Sequence, residues 1–347
     1  MATRWLLIEG FGGDGHDEPT VIGVGSTPKH MVPLSTVLGR GRYLDDMRAL
    51  VARVLASGQP VRTTSHDGRR RLIGDPLIAF SGRTHGVYAW MGGLDETPPR
   101  RDPAGAWYFN LTTQKIGGSH DLLDLYGVPP AERRTERALA EAFTRLVANA
   151  DEAAGLAVIV RAKPGVNHQA TWTVKRDDGQ LRAGNFACRS VAEINAEGQT
   201  EVVLRGITHD IGEAEKTPSA PQPMVLAERV LAAERDPGTY RAIVNLRTLT
   251  LLRWVDEPMP GVAWQNDAPH PPAIHPDDIP IAKQMSDQLA TEARASDKLR
   301  LRAVTGEWME VTVEANLLLL DQHTTAALVA VSPGAASGME HDPPPHR

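Results

Sequence analysis

Two proline-rich interruptions cut this chain into lengths that must each find a core of their own. "LDETPPRRDPAGAW", residues 94–107, and "GEAEKTPSAPQP", residues 212–223, set prolines among charged and polar residues between apolar regions. Proline cannot continue a helix or donate to a strand ladder, so neither stretch belongs inside a packed element. The final stretch "SPGAASGMEHDPPPHR", from residue 332, has no apolar period and reads as disordered. The 347 residues therefore divide into three segments, each long enough for one small core. The expected modules are 1–95, 103–214 and 237–333, with a linker and connector helix over 215–236 and a tail over 334–347.

Each segment repeats one pattern. In the first, apolar runs at 5–8 and 21–24 read as strands. Leu44, Met47, Leu50, Val51, Val54 and Leu55 then recur at helical steps of three and four until Gly58 and Pro60. Strand-like runs follow near 60–65, 70–80 and 84–91, joined by the turn residues of "HDGR" and "SGRTHG". In the second, "AWYFNLTTQKIGGS" reads as strand, turn and strand, and "HDLLDLYGV" as a short helix closed by Gly127. "RALAEAFTRLVANA" sets Leu139, Phe143, Leu146 and Val147 on one helical face. Strands are then expected at 156–163, 169–176, 181–191 and 200–208, with Asp178-Gly179 as a hairpin turn.

The third segment copies the second. "YRAIVNLRTLTLLRWV" offers two strands, "HPDDIPIAKQMSDQLA" a helix, and three strand-like runs complete it. "VKRDDGQLRAGNFAC" lies parallel to "LRAVTGEWMEVTVEA", and "TEVVLRGIT" to "TTAALVAVS". The expected fold class is α+β: three modules, each an antiparallel sheet with flanking helices, related by internal duplication. Between the last two, "MVLAERVLAAERDPG" carries Leu226, Val230 and Leu231 on a charged helix, a connector or a dimerising strip.

Charge and cysteine usage narrow the partners. A net charge of -6 and a pI near 6.1 oppose a nucleic-acid binder, which needs a basic face. The basic run "GRRRLIG", 68–74, reads as a solvated hairpin shoulder. The single Cys188 precludes an intramolecular disulfide and multi-cysteine zinc motifs, and fits a reducing compartment. No stretch approaches the roughly 20 apolar residues of a membrane span. A cytoplasmic location and no membrane partner are expected.

Motifs for chemistry fail on context. "GFGGDG", 10–15, has dinucleotide-fingerprint spacing, but Pro19 and β-branched residues follow where a helix must begin. "GNFACRSV" has only a superficial likeness to the flavin-reactive cysteine loop of blue-light sensors, because Phe186 and Ala187 break the spacing. Cys188 is better read as a small buried hydrophobe. His270 and His275 are separated by prolines, and Pro276, Asp277 and Asp278 read as a helix start. No histidine has metal-ligand spacing to a second ligand, and no nucleophile motif or phosphate loop is present. Haem or flavin is left open without a motif for either, and no catalytic residue is expected.

The stretch 106–211 resembles a PAS domain. "WYFNLTTQKIGGS" is similar to the opening hairpin, "HDLLDLYGV" to the glycine-closed helix, "KRDDGQLR" to the turn between late strands and "LRGITHDI" to the last strand. By that resemblance Thr208, His209, Asp210 and Ile211 form the exit from a sheet, and His209 is no catalyst. The third segment resembles a degenerate PAS domain through "IHPDDIP" and "LRAVTGEWMEVTVEA", with "AVSPG" replacing the terminal Asp-Ile. Residues 3–92 look more like a GAF domain through "GDPLIAFSGRTHGVYAW", with a third PAS-like unit as the alternative.

These resemblances imply a sensory or regulatory protein that binds a small ligand or a protein partner and signals by contact. The output function would reside on that partner, with a homodimer as one arrangement. An enzyme on an α+β scaffold and a structural homo-oligomer are the rival readings. If the middle module holds a ligand, Trp107, Phe109, Trp172 and Phe186 are the large apolar residues expected around it; ordinary core packing is the competing role for each.

Overall fold

A computed structural model describes residues 4–12, 18–134, 136–149, 151–218, 220, 236–266 and 269–334. The expected helix at 224–236, most of the tail and the later glycines of 10–15 lie outside these residues. The chain divides into two compact units, residues 1–224 and 225–347, the first holding two sheets and the second one. No described helix is long and apolar enough to cross a membrane.

The first module forms a six-stranded antiparallel sheet. It contains β1 (Leu6–Glu9), β2 (Thr20–Val24), β3 (Thr27–Pro33), β4 (Val61–Thr64), β5 (Arg70–Ile78) and β6 (Thr84–Gly93), in the order β3-β2-β1-β6-β5-β4. Between β3 and β4 lie α1 (Leu34–Leu38) and α2 (Leu44–Ser57). The apolar stripe read from the sequence is the buried face of α2: Leu44, Met47, Leu50, Val51 and Val54 pack on Leu6, Ile8, Val87 and Ala89. Gly58 ends the helix in the left-handed region, donating its N–H to Val54.

The middle module contains β7 (Ala104–Asn110), β8 (Lys115–Gly118), α3 (His120–Leu125), β9 (Glu136–Ala138), α4 (Glu152–Arg161), β10 (Asn167–Lys175), β11 (Leu181–Ile194) and β12 (Thr200–Glu213). Its sheet order is β10-β11-β12-β7-β8-β9. Residues 156–163 are a correction: they form the end of α4 and its C-terminal cap, not a strand. A continuous apolar run has no period to separate the two states. Here Glu152 occupies the first turn, and burial of Leu156, Ala157, Ile159 and Val160 supplies the helical contacts. Residues 139–147 also differ, forming a 3-10 turn over Leu139–Arg145 and no α-helix. The next residues are drawn to the sheet: Leu146 bridges Val174, and Val147 donates its N–H to Thr173.

The second unit contains β13 (Tyr240–Asn245), β14 (Thr250–Trp254), α5 (Ile279–Glu292), β15 (Arg294–Arg302), β16 (Trp308–Asp321) and β17 (Thr324–Pro333), ordered β14-β13-β17-β16-β15. His275 caps the helical start by accepting the Asp277 N–H, and Ala282, Met285 and Leu289 of α5 are buried. All three sheets share a five-strand order: second strand, first, last, then the two preceding strands in reverse, with the first two sheets adding their third strand beside the second. The two hairpins matched in sequence, β10–β11 and β15–β16, occupy equivalent places. The α+β reading of three like modules holds.

Burial distinguishes the sheets. Along β16, buried Val311, Val313 and Ala315 alternate with the more open Glu310, Thr312 and Glu314, as for a strand covered on one face. In β12 the nine residues 203–211 show no alternation, and all but Leu204 are small, polar or β-branched. Thr208 and His209 are 0% and 1% exposed. Such a strand is covered on both faces. One cover is the first module: Ile207, Ala187 and Ala104 share an apolar cluster with Leu7, Ile22, Tyr88 and Trp90. The other contains the candidate site.

Candidate functional site

Alternate residues of the middle sheet point away from the first module and floor a cavity of about 130 Å³. Trp107 and Phe109 come from β7, Trp172 from β10, Phe186 and Cys188 from β11 and Leu204 from β12. All four aromatic residues expected around a ligand thus line one cavity. Trp107 and Trp172 are buried, while Phe109 and Phe186 are half-buried. The rings interlock, with centroids 4.8 Å apart for Trp107 and Phe109 and 6.5 Å for Trp172 and Phe186.

Trp107 is fixed at both ends. Its Nε1 donates to Thr208 Oγ1 at 3.1 Å, and its ring lies over Gly206. A Cβ at Gly206 would fall 2.2 Å from that ring, so only glycine admits the close approach. Tyr126 completes this corner, its hydroxyl bonded to Thr208 and its pKa raised by burial.

Helices α3 and α4 and the segment between them form the roof. Ser119 caps α3 by accepting the Leu122 N–H at 3.2 Å, which places Leu122 and Leu123 against the cavity. Residues 136–147 cross the sheet from one edge to the other, pairing with β8 at the start and bridging β10 at the end. This strap contributes Phe143 and Leu146, with Phe143 6.4 Å from Trp172. Helix α4 contributes Gly155, Val158 and Ile159. A Cβ at Gly155 would make ordinary contact with Trp172 and His168, at 3.6 and 3.8 Å. The glycine therefore leaves space that a larger residue would fill.

The polar lining is concentrated on the strap. Arg134 pairs with Glu141 at 2.7 Å, and Glu141 also accepts the Ala138 N–H. Arg145 grips Asp177 through two bonds of 2.8 Å. Arg137 also lines the cavity; its Nε is buried without a hydrogen-bond partner among the described residues. Burial pushes the Cys188 thiol up to about 12, so it stays protonated and packs as a hydrophobe.

Gly155 and α4 were not legible in the sequence because 156–163 reads as a strand, and the strap arginines because 139–147 reads as a helix. The run "RRTER", 133–137, was the available signal for the arginines. His209 lies away from the cavity, inside β12, where it packs on Gly23 of the first module. Asp210 is held by Arg182 through a forked pair at 3.0–3.2 Å. Thr-His-Asp-Ile is therefore a buried structural stretch of the sheet.

Family models described as Rv3651-like, N-terminal; Rv3651-like, middle domain; and Rv3651-like, C-terminal domain match residues 4–100, 103–210 and 224–339. A crystal structure of an uncharacterized protein from Mycobacterium tuberculosis is 32% identical, covers 96% of each chain and superposes with a TM-score of 0.83. A sensory box histidine kinase/response regulator from Burkholderia thailandensis is 20% identical over 38% of this chain and 90% of its own, with a TM-score of 0.25. The N-terminal domain of a diguanylate cyclase with PAS/PAC sensor from Marinobacter aquaeolei is 21% identical over 31% of this chain and 95% of its own, also at 0.25. No curated protein matches the chain. The matched stretches follow the three sheets in order, and the chain belongs to the Rv3651-like family.

Proposed function

We propose that this chain is a non-catalytic sensory protein of PAS-like modules, whose middle module binds a small ligand and signals by contact to a protein partner. The observation that carries the reading is the aromatic cavity on one face of β11 and β12, the strands whose other face packs on the first module. The proposed coupling runs through adjacent residues, Gly206 and Ile207. Trp107 of the cavity lies on Gly206, while Ile207 meets Gly86 of the first module, where a Cβ would come within 2.5 Å. A ligand that moves Trp107 must therefore press on a strand that the first module also holds.

The shared strand order supports reading the first module as a third copy of the same PAS-like unit. The cavity, about 130 Å³, resembles in size the roughly 150 Å³ sites that hold benzene. That favours a one-ring or short-chain ligand over a porphyrin or a tricyclic flavin. A lone cysteine kept as a free thiol, Cys188, suits the cytoplasm.

Native mass spectrometry and an absorption spectrum of the freshly purified chain test this reading. The wild type should carry a small extra mass that leaves on denaturation, and Gly155→Leu, which fills the space beside Trp172, should lack it. Equal bare masses for both, with no melting shift from any compound in a panel of one-ring and short-chain ligands, would contradict it.

A further inference from the structure

We infer that the ligand of the middle module is a small amphipathic monocarboxylate, its apolar body among Trp107, Trp172 and Phe186 and its carboxylate on Arg137. The inference rests on the ligand-binding reading above and adds a chemical class to it. The strap brings three guanidinium groups to the cavity wall, and two have carboxylate partners: Arg134 with Glu141 and Arg145 with Asp177. The third, Arg137, has no ion pair or side-chain hydrogen bond among the described residues, and its Nε is buried.

A buried guanidinium donor without an acceptor is costly, because it loses water and gains nothing in return. Arg137 also feels its neighbours. Burial first, and then the charge of Arg145, hold its pKa below the ordinary arginine value. One negative charge at this position would supply the missing acceptor and offset the excess positive charge. The planar fork of arginine presents paired donors to a carboxylate. The rest of the wall is aromatic and aliphatic, so the remainder of the ligand must be apolar.

Benzoate, its neutral isostere benzamide and toluene are the probes, titrated into the full-length chain and followed by tryptophan fluorescence and calorimetry. Benzoate should bind at least tenfold tighter than benzamide. Arg137→Gln should weaken benzoate by about 10- to 100-fold, the worth of one charge-assisted pair, with toluene unchanged. Arg137→Lys, which keeps the charge but loses the fork, should fall between. If benzamide or toluene binds as well as benzoate, or Arg137→Gln leaves benzoate binding intact, the carboxylate assignment fails while the cavity stands as a ligand site. If none of the three binds and the melting temperature does not respond, both readings fail.

Discussion

Trp90→Ala should destabilise the first and middle modules together, by about 3–5 kcal/mol. Trp90 is fully buried in β6 and packs 6.4 Å from Trp5, with the Arg71 guanidinium 5.5 Å above its ring. It belongs to the apolar cluster that also takes in Ala104, Ala187 and Ile207 of the middle module. Truncation removes a large ring from a site closed on both sides, where the surrounding sheets cannot collapse into the space. Urea unfolding provides the measurement. One transition reported by both near-ultraviolet and backbone signals should move to lower urea. A change under 1 kcal/mol, or a split transition with the middle module unaffected, would show that this cluster does not join the modules.

Acid should loosen the same region well before general carboxylate titration. His85 and His209 are both about 1% exposed, and burial lowers each pKa to about 4. His85 Nδ1 lies 3.3 Å from the Gly206 carbonyl, where the neutral ring holds its proton, and Arg205 nearby opposes a second charge. His209 sits against Gly23, with Asp210 only partly offsetting the cost of burial. Between the ordinary histidine value of 6.5 and about 4, the unfolded chain takes up protons that the folded chain refuses. Stability is therefore full above 6.5 and is lost as pH falls, at roughly 3 kcal/mol per histidine by pH 4. Asp102, whose pKa burial and Asp210 raise, acts in the opposite sense. Denaturant midpoints from pH 7 to pH 4.5 should fall steeply. The slope should flatten in a His85→Gln, His209→Gln double variant, and an unchanged slope would remove these histidines from the account.

The modules were legible because their signals are local. The α2 stripe, the Asp178-Gly179 turn and the Ser119-capped helix each follow from neighbours in sequence. The four aromatics were also readable as inward-facing positions of strands, and they do converge. What stayed hidden depends on residues far apart. Residues 152–161 are helical because the cavity roof gives them a face to bury, whereas "LAVIV" alone carries no period. The strap leaves helical geometry because Leu146 and Val147 bond to β10, some 27 residues later. The lack of a partner for Arg137 appears only once Arg134 and Arg145 have found theirs. His209-Asp210, by contrast, was legible as part of a last strand, and both faces of β12 are covered there.

Hydrogen–deuterium exchange of the full-length chain tests the relay most directly, comparing free wild type, wild type saturated with benzoate, and Gly155→Leu as a filled-cavity mimic. Both filled states should change protection in β11 and β12 and also in β1 and β6, which cover Ile207 from the first module. Changes confined to the strap, α3 and α4, with β1 and β6 as in the free protein, would contradict a signal passing through the shared strands.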